Sequence, residues 1–154
     1  MIPLITWFEN YSGDHRNATN QMIHVWCVPA ILWSVVALLW TIPVPPTLGR
    51  PGLWAVLAIA AASIFYWQLS RRLQFGMFIV FVAFGLLSEW LRLRFGTTVL
   101  LWAAVTVFVV AWIGQFIGHK IEGRKPSFLT DLSYLLIGPL WVLAKLYRKL
   151  GIAY

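Results

Sequence analysis

The sequence predicts an all-α fold, a polytopic membrane helix bundle that forms a single membrane-embedded domain over residues 1–154. The composition is 60% hydrophobic and 11% charged, whereas soluble domains are typically about 45–50% apolar and about 25% charged. Long apolar runs are separated by proline, glycine and basic residues. The basic residues form short clusters between these runs, which is typical of membrane topology. The net charge of +7 therefore does not indicate a nucleic-acid partner.

The N-terminal segment has the pattern of an amphipathic helix over residues 3–14. Leu4, Phe8 and Tyr11 recur at helical spacing, which suits a helix lying in the membrane interface. The stretch that follows is rich in turn-forming and helix-capping residues. We therefore expect a break and a new helix start near residues 17–20.

Four apolar runs predict four spanning helices. Each reaches the length of about 17–25 residues that is needed to cross about 30 Å of hydrocarbon. Pro29 is placed in the first turns of the first run, where proline is tolerated better than in the middle. Glu89 and Arg92, at the end of the third run, are predicted to form an interfacial ion pair at i, i+3. The predicted spans cover about residues 25–42, 53–69, 75–91 and 97–118.

The last apolar run differs from the other four. Asp131 interrupts it and Gly138-Pro139 is predicted to break its middle. The apolar part, 132–144, is only 13 residues long, which favours a re-entrant or interfacial segment. A fifth spanning helix over 129–146 is the alternative.

The basic residues provide a second test of the span count. With four spans, nine of the twelve Lys and Arg residues lie on one membrane face. With five spans they are divided evenly between the faces. The positive-inside bias therefore favours four spans with both termini cytoplasmic.

Polar residues crowd the end of the fourth predicted span. Gln115, His119 and Glu122 fall at i, i+4 and i+7 and share one helix face. An imidazole beside a carboxylate at the mouth of a membrane helix indicates a metal or proton-transfer site. A boundary helix that snorkels its charges into the interface is the alternative from this stretch alone.

The three histidines of the chain are predicted to lie on the same membrane face. His15 and His24 precede the first span and His119 follows the fourth, and three neutral imidazoles suit a divalent first-row metal such as Fe(II), Zn(II) or Mn(II). His15 and His24 are nine residues apart, so shared ligation requires the chain to bend between them. Each histidine taken singly could instead be an interfacial hydrogen-bonding residue. Candidates for an outer-shell acceptor or a fourth ligand are Asp14, Asn20, Gln115, Glu122 and Asp131.

Two polar stretches resemble the 2-hydroxy fatty acid dioxygenase family, which consists of small multi-pass membrane proteins. The resemblance runs from about residue 5 to residue 145, with one departure at Cys27, where glycine is expected and the change is expected to affect packing only. The motifs that carry it are Tyr11-x3-His15-x4-Asn20-x3-His24-x4-Pro29, then Trp112-x2-Gln115-Phe116-Ile117-Gly118-His119-x2-Glu122-Gly123-Arg124-Lys125-Pro126, and finally Ile137-Gly138-Pro139.

The resemblance implies an Fe(II)-dependent oxygenase of fatty-acid α-oxidation. Such an enzyme uses O2 to cleave a long-chain 2-hydroxy fatty acid to an acid one carbon shorter, here at the cytoplasmic face of the membrane. The family's histidines carry over onto His15, His24 and His119 as metal ligands and catalytic residues. A catalytic or ligand role for Glu122 is an additional inference of ours.

The basic end of the chain is predicted to hold the head group of such a substrate. Its tail would stay in membrane lipid or between the spans. Arg124 is the first choice for the carboxylate, since guanidinium binds carboxylates bidentately, and Lys125, Lys120 and Arg16 are further candidates. Each of these residues could instead serve only to set topology.

Other functions remain open at this stage. The main alternative is a non-enzymatic membrane protein that binds lipid or a partner, followed by a transporter and by a zinc-dependent membrane hydrolase. Cys27 and His24 at i, i+3 could pair, but we expect Cys27 to fill packing space. A homo-oligomer remains open. We prefer a bacterial inner membrane over the endoplasmic reticulum membrane, because the chain is minimal and has no terminal retention signal.

Overall fold

The structure of the chain is a computed structural model that describes residues 3–123 and 128–154, with only the backbone described for 128–133. This part of the chain is entirely helical and has no β-strand. The all-α class predicted from the sequence is therefore confirmed. The six helices are α1 (Leu4–Asp14), α2 (Ala18–Thr41), α3 (Leu53–Leu69), α4 (Arg71–Phe95), α5 (Thr97–Glu122) and α6 (Phe128–Lys149).

Three of the described helices, α2, α4 and α5, are long and apolar enough to cross a membrane, with 24, 25 and 26 residues. Helix α3 is equally apolar but has 17 residues, and at about 1.5 Å per residue it reaches about 26 Å. The fold is thus that of a membrane-type helical protein. The predicted total of four spans remains a prediction.

The helices extend beyond the predicted apolar runs. Helix α2 begins at Ala18, which confirms the helix start expected near residues 17–20, and it precedes the apolar run from residue 25, because hydropathy marks only the apolar part of a helix while backbone hydrogen bonding continues through polar turns. The placement of Pro29 in the first turns was therefore wrong, since Pro29 lies in the interior of α2. Helix α4 likewise covers 71–95 rather than 75–91.

The chain bends between α1 and α2 at the position that the sequence predicts. The Asn17 side chain accepts hydrogen bonds from the backbone N–H groups of Thr19 and Asn20, which caps the start of α2. His15 follows the last residue of α1. The bend places His15 beside the first turns of α2 rather than on a continuous helix with His24.

Helix α2 is packed most extensively against α5. Two glycines on α5 permit the close approach. A Cβ atom at Gly114 would lie 2.7 Å from the Cys27 sulfur, and one at Gly118 would collide with the side-chain oxygen of Asn20. Cys27 thus fills packing space between the two helices, as expected. The close approach brings the C-terminal end of α5 to the α1–α2 bend.

Helix α6 continues through Gly138-Pro139, so the predicted break was wrong. Pro139 cannot donate a helical hydrogen bond, and it weakens the turn around it. The carbonyl that loses its helical donor is that of Leu135, whereas the Tyr66 hydroxyl donates to the neighbouring Leu136 carbonyl at 2.7 Å and so ties this turn of α6 to α3. The same tyrosine is buried in the main core beside Leu73.

Helix α6 contacts both α1 and the start of α4, and the choice between an interfacial segment and a fifth span remains a prediction. Trp141 donates from its indole nitrogen to the Ser12 hydroxyl in α1 at 2.9 Å. Further along, Tyr147 packs against the start of α4, and the Arg72 guanidinium donates to the carbonyl of Ala153, beyond α6. The second half of α6, which contains Trp141 and Tyr147, therefore contacts the end of the bundle where α2 and α4 begin.

The opposite end of the bundle contains the predicted ion pair. Arg92 and Glu89 are bonded at 2.7 and 2.8 Å. The Trp40 indole N–H donates to the same carboxylate at 2.8 Å. This confirms the structural interpretation of Glu89.

Candidate metal centre

The three histidines meet at one end of the bundle. His15 lies at the α1–α2 bend, His24 lies in the second turn of α2, and His119 lies in the last turn of α5. Each offers a ring nitrogen, and these atoms all lie within 4.8 Å of one another. His15 and His24 are buried, and His119 is half-buried. Residues more than 90 positions apart thus form one potential metal site.

The hydrogen bonds of two histidines fix their tautomers. His15 donates from Nδ1 to the Tyr11 carbonyl at 2.6 Å, and His24 donates from Nδ1 to the Asn20 carbonyl at 2.9 Å. A carbonyl can only accept, so both protons lie on Nδ1. In the neutral rings, both Nε2 atoms therefore present lone pairs.

These two lone pairs face each other. The Nε2 atoms of His15 and His24 are 3.0 Å apart, which is repulsive unless a proton or a cation lies between them. Burial lowers the pKa of His15 below its ordinary value of 6.5, which opposes a proton at this site near neutral pH. A metal cation is the alternative that satisfies both lone pairs.

The observed separation fits two ligands of one ion. Imidazole nitrogens about 2.0–2.1 Å from an ion, with an angle of about 90–110° between them, lie about 2.8–3.4 Å apart. The distance of 3.0 Å falls within that range. His15 and His24, with Nδ1 already committed in both, therefore fit two ligand positions of a first-row metal as they stand, and His119 offers a third imidazole within 4.8 Å of them.

A small cavity of about 50 Å³ adjoins the histidines. Its polar lining includes Gln115 on α5 and Tyr11 on α1. The remaining wall is mostly apolar. Helix α2 contributes Val28, Ile31 and Leu32, helix α6 contributes Leu135 and Pro139, and α5 contributes Trp112. The cavity therefore joins the three imidazoles to an apolar interior.

Tyr11 is a site residue that the sequence analysis missed. Its carbonyl orients His15, and its ring stacks on the His15 imidazole with centroids 4.2 Å apart. The available signal was the spacing, because Tyr11 precedes His15 by four residues as Asn20 precedes His24. In each pair the carbonyl of residue i−4 accepts from the imidazole.

The predicted outer-shell residues have different positions. The Asn20 backbone orients His24. Asp14 accepts a hydrogen bond from the Tyr134 hydroxyl at 3.2 Å. Gln115 lines the cavity, and the side chain of Asp131 lies outside the described residues.

Glu122 binds the α1–α2 bend rather than joining the imidazole cluster. Its carboxylate accepts from the backbone N–H groups of Arg16 at 2.9 Å and Asn17 at 3.0 Å, and from the Asn20 side-chain amide at 2.9 Å. Among the described residues, the group of mutually close metal-binding atoms is formed by the three histidines. These bonds give Glu122 a positioning role, and its catalytic or ligand role remains a prediction.

The candidate head-group residues are only partly described. Arg16 is exposed beside the site, and its backbone N–H binds Glu122. Lys120 is also exposed, in the last turn of α5. Arg124 and Lys125 lie outside the described residues, so their predicted role stays a prediction.

Fold and site together define a helical protein of the membrane type with a candidate three-histidine metal centre at one end of its bundle. The chain belongs to the 2-hydroxy-palmitic acid dioxygenase Mpo1-like family, whose model matches residues 2–150. A relative from Saccharomyces cerevisiae, the 2-hydroxy-palmitic acid dioxygenase MPO1, is 30% identical over 145 residues, which cover 92% of this chain and 78% of the relative. No solved structure matches the chain. The family resemblance inferred from the sequence is thereby confirmed, and it supports a related oxidoreductase function.

Proposed function

We propose that this protein is an Fe(II)-dependent dioxygenase that uses O2 to cleave long-chain 2-hydroxy fatty acids to acids one carbon shorter. The observation that carries the proposal is the pair of opposed Nε2 lone pairs of His15 and His24, 3.0 Å apart and beside His119. Family membership and the activity in the relative's name support the same reaction class.

His15, His24 and His119 would hold the iron through neutral imidazoles. When bound, iron supplies the redox chemistry with O2 that protein side chains do not provide. An iron held by these three residues would supply its chemistry to the hydroxyl and carboxylate end of a 2-hydroxy acid. The contribution of the chain is then to fix the ligand nitrogens and to orient C1 and C2 of the substrate.

The apolar cavity wall suits the acyl tail. Helices α5 and α6 both pack against α2, and in the described residues they pack little against each other. The cavity lies between these three helices, beside Val28, Ile31 and Pro139. A tail can therefore extend from the histidines toward the lipid, while Arg16, Lys120, Arg124 or Lys125 attracts the carboxylate at the outer end.

The proposed location is the cytoplasmic face of a bacterial inner membrane, with both termini cytoplasmic. The basic residues support this orientation, because nine of twelve fall on the histidine side under a four-span topology.

The test is metal analysis of purified protein together with consumption of 2-hydroxypalmitate under O2. We expect bound iron and activity in the wild type, and loss of both in His15→Ala, His24→Ala and His119→Ala. Glu89→Gln, at the opposite end of the bundle, is the control and should keep both. Wild-type metal content in all three histidine variants would contradict the proposal, and activity that requires zinc and no O2 would favour a hydrolase.

A further inference from the structure

Gln115, a predicted outer-shell candidate, is a buried amide. Its side chain is 6% exposed and lines the cavity beside the three histidines. Within the described part of the chain, no hydrogen-bond partner meets its side chain. A buried amide without a partner costs stability, so such groups in native proteins usually have a ligand, a water or a function to account for them.

A second polar group on the same helix has the same property. The Trp112 indole N–H is buried without a partner, and Trp112 also lines the cavity. Trp112, Gln115 and His119 lie at i, i+3 and i+7 on α5 and so share a face. The Trp112 nitrogen is itself shielded from the cavity space, so the group that faces the cavity without a partner is the Gln115 amide, and a ligand with a polar atom fits beside it.

The lining changes character along the cavity. Lys120 is exposed at the end of α5, His119 is half-buried, and Gln115 is fully inside, about 6 Å deeper along the helix. Beyond Gln115 the α2 wall is apolar, with Ile31 and Leu32. The order from the surface inward is therefore cation, imidazole, neutral amide and hydrocarbon.

A 2-hydroxy fatty acid has its groups in a matching order: carboxylate, hydroxyl and tail. A carboxylate beside Gln115 would face an apolar wall, where the loss of hydration is costly. A neutral hydroxyl suits a neutral amide, and a hydroxyl that ligates a metal through its oxygen still has a proton to donate. The amide oxygen of Gln115 can accept a hydrogen bond from that hydroxyl group.

We infer that Gln115 binds the 2-hydroxyl of the substrate and thereby distinguishes hydroxylated from unsubstituted fatty acids. The inference rests on the proposed function and adds the residue that sets its specificity. A site that hydrogen-bonds a substrate hydroxyl discriminates against the analogue without it more strongly than an apolar pocket does, because the protein group is left unpaired.

The chain offers a matched control. Gln74 in α4 is 7% exposed, and its amide oxygen is also buried without a partner. Gln74 does not line the cavity at the histidines. Gln115→Met and Gln74→Met therefore make the same near-isosteric change at two equally buried sites, only one of them beside the candidate metal centre.

The experiment measures binding of 2-hydroxypalmitate and of palmitate to the full chain, loaded with Fe(II) in lipid nanodiscs without O2, by calorimetry. In Gln115→Met we expect the Kd for 2-hydroxypalmitate to rise about tenfold. The Kd for palmitate and the iron content should stay at their wild-type values. Gln74→Met should leave all three quantities unchanged.

Three outcomes for Gln115→Met would overturn the inference: an unchanged Kd for 2-hydroxypalmitate, an equal loss of affinity for both acids, or a loss of bound iron. The last of these would make Gln115 a metal ligand. If Gln115→Met does not fold, Gln115→Asn withdraws the amide by one methylene and is expected to give the same selective loss. Wild-type turnover is measured in parallel. Iron-dependent turnover in the wild type, together with Gln115 variants that still prefer 2-hydroxypalmitate as the wild type does, refutes this inference alone. A wild type without iron-dependent turnover refutes the proposed function.

Discussion

Gly118 packs directly against the side-chain oxygen of Asn20, and this contact sets how closely α5 approaches α2 at the candidate metal centre. Asn20 is fully buried. Its carbonyl orients His24, and its amide donates to Glu122. A residue that holds the orientation of one histidine is thus pressed against the helix that carries another, His119.

The Gly118→Ala variant tests this contact. A Cβ atom would collide with Asn20, so we expect a loss of about 1–3 kcal/mol in the free energy of unfolding together with weaker metal binding. Gly13→Ala is the control, because nothing lies within 4 Å of a Cβ at that position. Denaturation in detergent and metal titration measure the two effects, and wild-type values for Gly118→Ala would show that the helices can separate without disturbing the site.

The Glu122→Gln variant separates a positioning role from a ligand role. The carboxylate accepts from two backbone N–H groups and from Asn20, and glutamine retains only one acceptor oxygen. Loss of a supporting residue typically lowers metal affinity about 10–100-fold, so we expect weakened but measurable binding. Glu9→Gln, at an exposed position, should have no effect. Complete loss of metal, as expected for the histidine variants, would make Glu122 a ligand.

The helices and the shared location of the histidines follow from the sequence. Apolar runs fix the approximate helices, and the number of helices between His24 and His119 places them at the same end of the bundle. The prediction failed at Gly138-Pro139, since α6 continues through it. A proline weakens one turn without ending the helix, and the Tyr66 hydroxyl ties that turn to α3.

The internal geometry of the site does not follow from sequence patterns. The opposition of the two Nε2 atoms depends on the angle of the α1–α2 bend, and the carbonyl of Tyr11 becomes a hydrogen-bond acceptor for His15 only once that bend forms. Glu122 was predicted near the metal because it shares a helix face with His119. Its carboxylate also meets a backbone N–H group of Asn17, 105 residues away and two residues from His15, a contact that periodicity within one helix cannot reveal.

The Tyr66→Phe variant tests the support of α6. The buried hydroxyl donates to the Leu136 carbonyl at 2.7 Å, and the loss of one such hydrogen bond typically costs about 0.5–1.5 kcal/mol. We expect that loss in the free energy of unfolding. Tyr147→Phe removes a hydroxyl whose contact to the Arg72 carbonyl is exposed and 3.5 Å long, so it should be nearly neutral. Equal effects of the two substitutions would contradict the support of α6 by Tyr66.

Acid should destabilise the metal-free protein in a defined pH range because of His15. Burial lowers the pKa of His15 below its ordinary value of 6.5, so the unfolded chain takes up a proton that the folded site resists. The contribution of His15 to stability is therefore fully present above about pH 6.5 and is lost as the pH falls from there toward the lower folded pKa. Denaturant unfolding at a series of pH values measures the slope. His15→Gln should flatten the curve below pH 6.5, and an unchanged curve in that variant would mean that His15 charges as readily in the folded protein as in the unfolded chain.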